Sequence, residues 1–255
     1  MIKRFIFIIL ISIAFSCSTS KDIIYVQDLD KNTSNKIEYN EYLLKPDDVL
    51  KIDVSSENPQ TVNAFRSDIT FNSSNATMIG MIYNGYKVNN SGEIFFPTIG
   101  KIKVVGKTVD EVRQYISDYL TDGGFLTKLV IDVKLINASF TILGEVNMPG
   151  KHQFNQNNLN ILEAIGIAGD LTINGKRDNI TLIREIDNKR ISTTYDLTSS
   201  KIFESDNFQI FPGDIIIVSP NSNRVKNAGL IGNSGTLLSL LSFVLSSIIV
   251  ASSNL

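Results

Sequence analysis

Apolar and polar positions alternate over several short stretches of this 255-residue chain, and each stretch predicts a half-buried strand. Leu50, Ile52 and Val54 alternate with Lys51, Asp53 and Ser55; Leu129, Ile131, Val133 and Leu135 alternate with Val130, Asp132 and Lys134. Between them, Tyr86 to Val105 predicts a hairpin or meander: Tyr86 and Val88, a turn at Asn89 to Gly92, then strands at Ile94 to Pro97 and Ile102 to Val105. The period then becomes helical. Thr108 and Glu111 form a capping box, and Val109, Val112, Ile116 and Tyr119/Leu120 keep one apolar face up to Gly123 and Gly124. Residues 56–78 are rich in Asn, Ser and Thr and read as a long excursion, helical near Thr61 to Arg66.

A second unit opens with a strand at Phe140 to Leu143 and a turn from Gly144 to Gly150. A helix from about Leu159 to Ala168 is predicted to end at Gly169 as a left-handed cap. Strands at Ile180 to Arg184, Ile191 to Leu197 and Ile215 to Val218 complete it. The last strand is launched by Phe211-Pro212-Gly213-Asp214, which echoes Lys45-Pro46-Asp47-Asp48 ahead of the first strand of the chain. In both, Pro fixes the turn and a carboxylate stands ready to accept local hydrogen bonds. Two small α+β domains in tandem account for this order.

The ends of the chain are apolar. Lys3 and Arg4 precede an apolar run from Phe5 to Ser16, too short to span a bilayer as a helix and predicted to be a signal peptide over residues 1–16. Ala14, Phe15 and Ser16 together with Cys17 resemble the lipobox of bacterial lipoproteins, which implies cleavage before Cys17 and acylation of its thiol, with palmitate among the acyl groups. Residues 17–40 are polar and read as a tether, with one short strand at Ile23 to Val26, so that folded structure is expected to begin near Tyr42. At the other end no charged side chain occurs from Gly235 to Ala251, and residues 234–252 are predicted to form a transmembrane helix after a linker at 221–233. At 1.5 Å per residue the uncharged stretch is about 25 Å long, slightly short of a hydrocarbon core. At about 100° per residue, Gly232, Gly235, Ser239, Ser242 and Ser246 fall in one narrow stripe. Such a stripe permits close helix packing or faces water in a pore. The plainer alternative is a single anchor whose serines bond to their own backbone carbonyls.

Composition narrows the chemistry. A net charge of −2 with no basic stripe argues against nucleic-acid binding. One cysteine excludes an internal disulfide, and the absence of Trp removes the commonest sugar-stacking side chain. His152 is the only histidine and, without His or Cys company, reads as a surface residue rather than a metal ligand. Asp53, Glu93, Glu145 and Asp214 fall in turns or on exposed strand faces, where solvation is the usual reason for a carboxylate. No catalytic residue, metal set or cofactor is expected apart from the lipid on Cys17, and no enzymatic activity. Gly92, Pro97, Gly144, Pro149, Gly150, Pro212 and Gly213 read as turn residues.

Taken in order, these segments resemble a known family. Tyr42 to Val54 (YLLKPDDVLKIDV), Tyr86 to Gly100 (YKVNNSGEIFFPTIG) and Val105 to Thr108 are similar to the polysaccharide export domain, here over residues 41–136. Phe140 to Gly150 (FTILGEVNMPG), Leu159 to Gly169 (LNILEAIGIAG) and Phe211 to Val218 (FPGDIIIV) are similar to the soluble-ligand-binding β-grasp domain, here over 137–220. The resemblance is to the outer-membrane polysaccharide export lipoproteins. It implies an outer-membrane homo-oligomeric ring, octamer-like as in relatives, with soluble domains in the periplasm, a capsular or exopolysaccharide as cargo, and an inner-membrane chain-length-regulating copolymerase as partner. A monomeric polysaccharide-binding or scaffold lipoprotein is the alternative. Two departures stand out. Asp47 replaces a customary Gly, which predicts a type I turn in place of type II. A single β-grasp domain predicts a shorter periplasmic part.

Overall fold

The computed structural model describes residues 23–29, 39–57, 85–124, 128–187, 189–205 and 208–222, together with Gly235, Leu238, Ser239, Ser242, Phe243, Ser246 and Ser247. The stretch expected to be helical near Thr61 to Arg66, Cys17 with the signal peptide, and most of residues 234–252 lie outside the described residues.

In the first domain β1 (Val49–Ser56) is the centre of a three-stranded antiparallel sheet, flanked by β2 (Tyr86–Lys87) and, further along the chain, β5 (Leu129–Leu135). A hairpin of β3 (Glu93–Phe96) and β4 (Gly100–Lys103) stands beside it, and α1 (Val109–Asp122) packs on β5. The alternation read from the sequence is what sets the faces. Leu50, Ile52, Val54, Ile131 and Val133 point into the core with Ile94, Phe96 and Ile102. Helix α1 starts where its capping box requires: the Thr108 hydroxyl accepts from the Glu111 N–H at 3.1 Å and the Glu111 carboxylate accepts from the Thr108 N–H at 2.8 Å. It closes the core with Val112, Ile116 and Leu120, each contributing about 1.5–3 kcal/mol by burial.

The second domain is a five-stranded sheet in the order β7-β6-β10-β8-β9, from β6 (Ser139–Gly144), β7 (Gly150–Gln153), β8 (Gly175–Ile186), β9 (Lys189–Tyr195) and β10 (Ile215–Pro220). β10 runs parallel to β6 and antiparallel to β8. Helix α2 (Ile161–Ile167) covers this sheet with Ile161, Ala164 and Ile165, and Gly169 follows it with φ 75°, the left-handed geometry expected of it. Its N-terminus carries a second capping box, Asn160 with Glu163.

The fold departs from the sequence expectation at the first Pro-turn and at the tether. Asp47 has φ 72° and Gly213 has φ 90°, so both occupy the left-handed second position of a type II turn; the type I turn expected at Asp47 does not form. The reason is the following residue. The Asp48 carboxylate accepts the Lys45 N–H at 2.8 Å, as the Asp214 carboxylate accepts the Phe211 N–H at 2.8 Å, and this bond fixes the turn whatever stands between. Aspartate tolerates the left-handed region at a cost of roughly 1 kcal/mol. At the tether, residues 23–29 lie along the second domain rather than free of it, and the strand expected at Ile23 to Val26 does not form. Val26 and Gln27 donate backbone N–H groups to Leu197 O at 3.0 Å and Thr198 O at 2.8 Å, and Tyr25 packs on the second core.

Candidate functional site

The two Pro-turns meet at the junction of the domains. Asp48, 8% exposed, accepts from the Tyr42 hydroxyl at 3.0 Å. The Tyr42 ring packs on Phe211 of the other turn with centroids 6.1 Å apart. Over Phe211, at 4.4 Å from its centroid, lies the Arg184 guanidinium. Arg184 in turn grips Asp214 with both prongs, Nε to Oδ1 at 2.9 Å and Nη2 to Oδ2 at 2.6 Å, and donates to Gln209 O at 2.6 Å. This row, Asp48–Tyr42–Phe211–Arg184–Asp214, seats one domain on the other. Lys45 Nζ adds a bond to Glu185 O at 3.0 Å, and the Asn40 N–H donates to Gln209 Oε1 at 3.0 Å.

Burial sets the ionisation of this row. The Tyr42 phenol is raised well above its ordinary value, first by burial, then by the negative Asp48 and the hydrogen bond donated to it. Tyr25 is raised as well, by burial and by the bond it donates to Asp170. Burial also raises Asp48, against the Lys45 N–H and Tyr42 hydroxyl that favour its charged form. A phenol whose folded value exceeds its unfolded value stabilises the fold fully below about pH 10, and that contribution is lost as pH climbs beyond it. Stability is therefore expected to hold up to about pH 10 and to fall as pH rises beyond it, and to fall less in Tyr42→Phe, read from denaturant midpoints on the two sides of that value.

Beside the row opens a cleft of about 1030 Å³. One wall is the start of α1 and the end of β5, from Thr108 to Arg113 and from Asp132 to Ile136; the other is the amide-rich run Gln153, Asn155, Gln156, Asn157 and Asn158. Its cations are paired, Arg113 with Asp110 at 2.8 Å and Lys134 with Asp132 at 2.6 Å, all at least half exposed, and Glu41 adds a further carboxylate to the lining. The surface thus mixes hydrogen-bonding groups with apolar side chains such as Tyr42, Val109, Phe154 and Phe211, and each of its two cations is balanced by a neighbouring carboxylate.

The carboxylates singled out in the sequence are not brought together. Asp53 pairs with Lys51 at 2.8 Å on the outer face of β1 and Glu93 lies in the β3–β4 hairpin; Glu145 accepts from the Thr172 hydroxyl at 2.7 Å, and Asp214 is clamped by Arg184. His152, expected at the surface, is half-buried, stacked on Phe140 with centroids 5.5 Å apart and its Nε2 2.8 Å from Met148 O. No group of three potential metal ligands occurs among the described residues. Of the C-terminal stripe, Gly235, Ser239, Ser242 and Ser246 are helical and exposed, while Gly232 lies outside the described residues. Ser242 and Ser246 donate to the carbonyls of Leu238 and Ser242 four residues earlier, at 2.8 and 2.7 Å. Each hydroxyl oxygen keeps acceptor capacity, so the stripe can still meet water or a neighbouring helix. Among the described residues no helix is long and apolar enough to cross a membrane.

The sequence reading missed Arg184 and Tyr42 as junction residues. A signal was present for Arg184: it shares the parity of Ile180 and Leu182 on β8, the buried face, where a charge demands a partner.

Comparison with known proteins agrees with this architecture. Residues 37–136 match the family described as Polysaccharide biosynthesis/export protein, and residues 138–218 match the SLBB domain. The chain is similar to the EPS I polysaccharide export outer membrane protein EpsA of Ralstonia nicotianae, 33% identical over 103 residues, covering 40% of this chain and 27% of that protein. It is 30% identical over 90 residues to the protein of the same name from Ralstonia solanacearum, covering 35% of this chain and 24% of the relative. The chain thus spans about a quarter of the length of the curated relatives it matches. The family comprises transport and scaffold proteins, not enzymes, in keeping with the structural employment of the carboxylates above. The chain thus carries, in tandem, a domain that matches the polysaccharide biosynthesis/export family and an SLBB domain.

Proposed function

We propose that this protein is an outer-membrane translocon subunit that assembles into a ring for the export of capsular or exopolysaccharide. The observation that carries the reading is the tandem of export and SLBB domains, in that order and docked through buried contacts, in a relative of named outer-membrane export proteins. In this reading Cys17 carries the lipid, residues 234–252 insert in the outer membrane, and the soluble domains stand in the periplasm facing an inner-membrane copolymerase. A rigid junction suits a ring, because a head-to-tail contact closes only if every subunit keeps the same angle. Phe95, Val130 and Ile191 are large exposed apolar side chains available to such a contact. The cleft, with its amide-rich wall and its cations paired to neighbouring carboxylates, offers a bulky hydrophilic polymer many weak partners. Ser239, Ser242 and Ser246 line the lumen.

The expected result is that cells lacking the protein retain polysaccharide in the periplasm and regain surface polysaccharide with the intact chain. Cys17→Ser and the triple serine-to-leucine variant at 239, 242 and 246 are expected not to restore it, while accumulating to normal levels. Full export by the leucine variant refutes the lumen assignment. A second reading, a monomeric lipoprotein that holds polysaccharide, draws support from the serine hydroxyls that bond to their own helix.

A further inference from the structure

The chain comes onto the second domain and leaves it at the same end. On arrival the Tyr25 hydroxyl donates to Asp170, and the Arg177 guanidinium lies over the Tyr25 ring at 5.2 Å. On departure, past the last residue of β10, the Asn221 N–H donates to Asn174 O at 2.7 Å. Both contacts fall on one loop, residues 170–175. That loop is braced: the Thr172 N–H donates to Glu145 O at 3.0 Å, its hydroxyl to Glu145 Oε2 at 2.7 Å, and the Gly175 N–H to Thr172 O at 3.0 Å. Its tip residue, Ile173, is nevertheless 66% exposed, and Ile23 and Ile24, next to Tyr25, are 41% and 48% exposed. Three isoleucines thus stand in solvent around the place where both tails depart. The first domain docks at the opposite end of β10, through Phe211 and Asp214, so the length of the strand, about 20 Å, separates the junction from this loop.

Five residues lie between Cys17 and Ile23, a reach of at most about 22 Å over six steps. A lipid on Cys17 therefore holds this end close to the bilayer. We propose that the 170–175 end of the second domain is a membrane-contacting face, with Ile173, Ile23 and Ile24 seated in the bilayer interface. Isoleucine fits there because apolar side chains partition into the boundary of headgroups and acyl chains, whereas in water each leaves its surface uncovered. The inference rests on the lipid and C-terminal anchoring proposed above, and it adds that the folded domain itself touches lipid and fixes the tilt of the subunit.

The test uses the full-length acylated protein in phosphatidylethanolamine and phosphatidylglycerol liposomes containing a headgroup-nitroxide lipid. Ile173→Cys and, separately, Phe95→Cys carry a polarity-sensitive fluorophore; flotation of the protein and label uptake by the unsubstituted chain are measured alongside. The expected result is fluorescence quenched at residue 173, unquenched at residue 95, and no labelling of the unsubstituted chain. Protein that floats while residue 173 stays unquenched overturns the membrane face but leaves the anchoring intact, as does cross-linking of residue 173 between two copies. Protein that fails to float, or labels at Cys17, overturns the anchoring and the face with it.

Discussion

Arg184→Met is expected to lower the stability of the second domain by about 3–5 kcal/mol, because it strands a carboxylate in the protein interior. The two side chains are 8% and 2% exposed and bonded through both prongs of the guanidinium. Removing the arginine leaves Asp214 its bond from the Phe211 N–H and removes the cation that balances its charge. It also uncovers Phe211, on which Tyr42 of the first domain rests, so the loss extends to the seating of the domains. Arg184→Lys is expected to fall between wild type and Met, since an ammonium cannot reproduce the fork. In Arg184→Met/Asp214→Leu most of the loss is regained, and about 1 kcal/mol persists for the turn hydrogen bond that Asp214 alone supplies. Chemical unfolding of the full chain in detergent, followed by circular dichroism, measures all three. A loss below about 1 kcal/mol in the single variant contradicts the role given to this pair.

Gly144→Ala carries the second large effect, about 3–5 kcal/mol. Gly144 ends β6 opposite Val218 of β10, with φ 93°. A Cβ there would stand 2.0 Å from Val218 O, a backbone atom that cannot swing aside. The same carbonyl accepts the Glu145 N–H at 3.2 Å, so displacing it breaks the start of the turn that braces the 170–175 loop. Gly213→Ala is the control: its φ is 90°, but a Cβ would meet nothing within 4 Å, so only the conformational cost of about 1–2 kcal/mol remains. Equal losses in the two variants would show that the left-handed backbone, not the close approach of β10, governs Gly144.

What the sequence disclosed depended on the range of the interaction. The alternation of β1 and β5 and the Thr108/Glu111 cap are local, and they stand where the pattern put them. Strand β7 escaped notice because Gly150-Lys151-His152-Gln153 is short and polar, as an edge strand beside a single neighbour can be. The Asp47 turn was misjudged because the intrinsic preference of residue 47 was weighed without the carboxylate of residue 48. The echo between the two Pro-turns was visible in the sequence, but not that Tyr42 and Phe211 join them. That contact spans 169 residues and depends on how two finished domains meet. For the same reason the polar run 153–158 gave no hint of the cleft it lines.

The central claim, a ring of identical subunits, is tested most directly by the mass of the full-length acylated protein purified in mild detergent. Native mass spectrometry, or light scattering corrected for bound detergent, is expected to return a single closed multiple of the acylated subunit, independent of dilution. A stable monomer under the same conditions would contradict the translocon and favour the polysaccharide-holding lipoprotein.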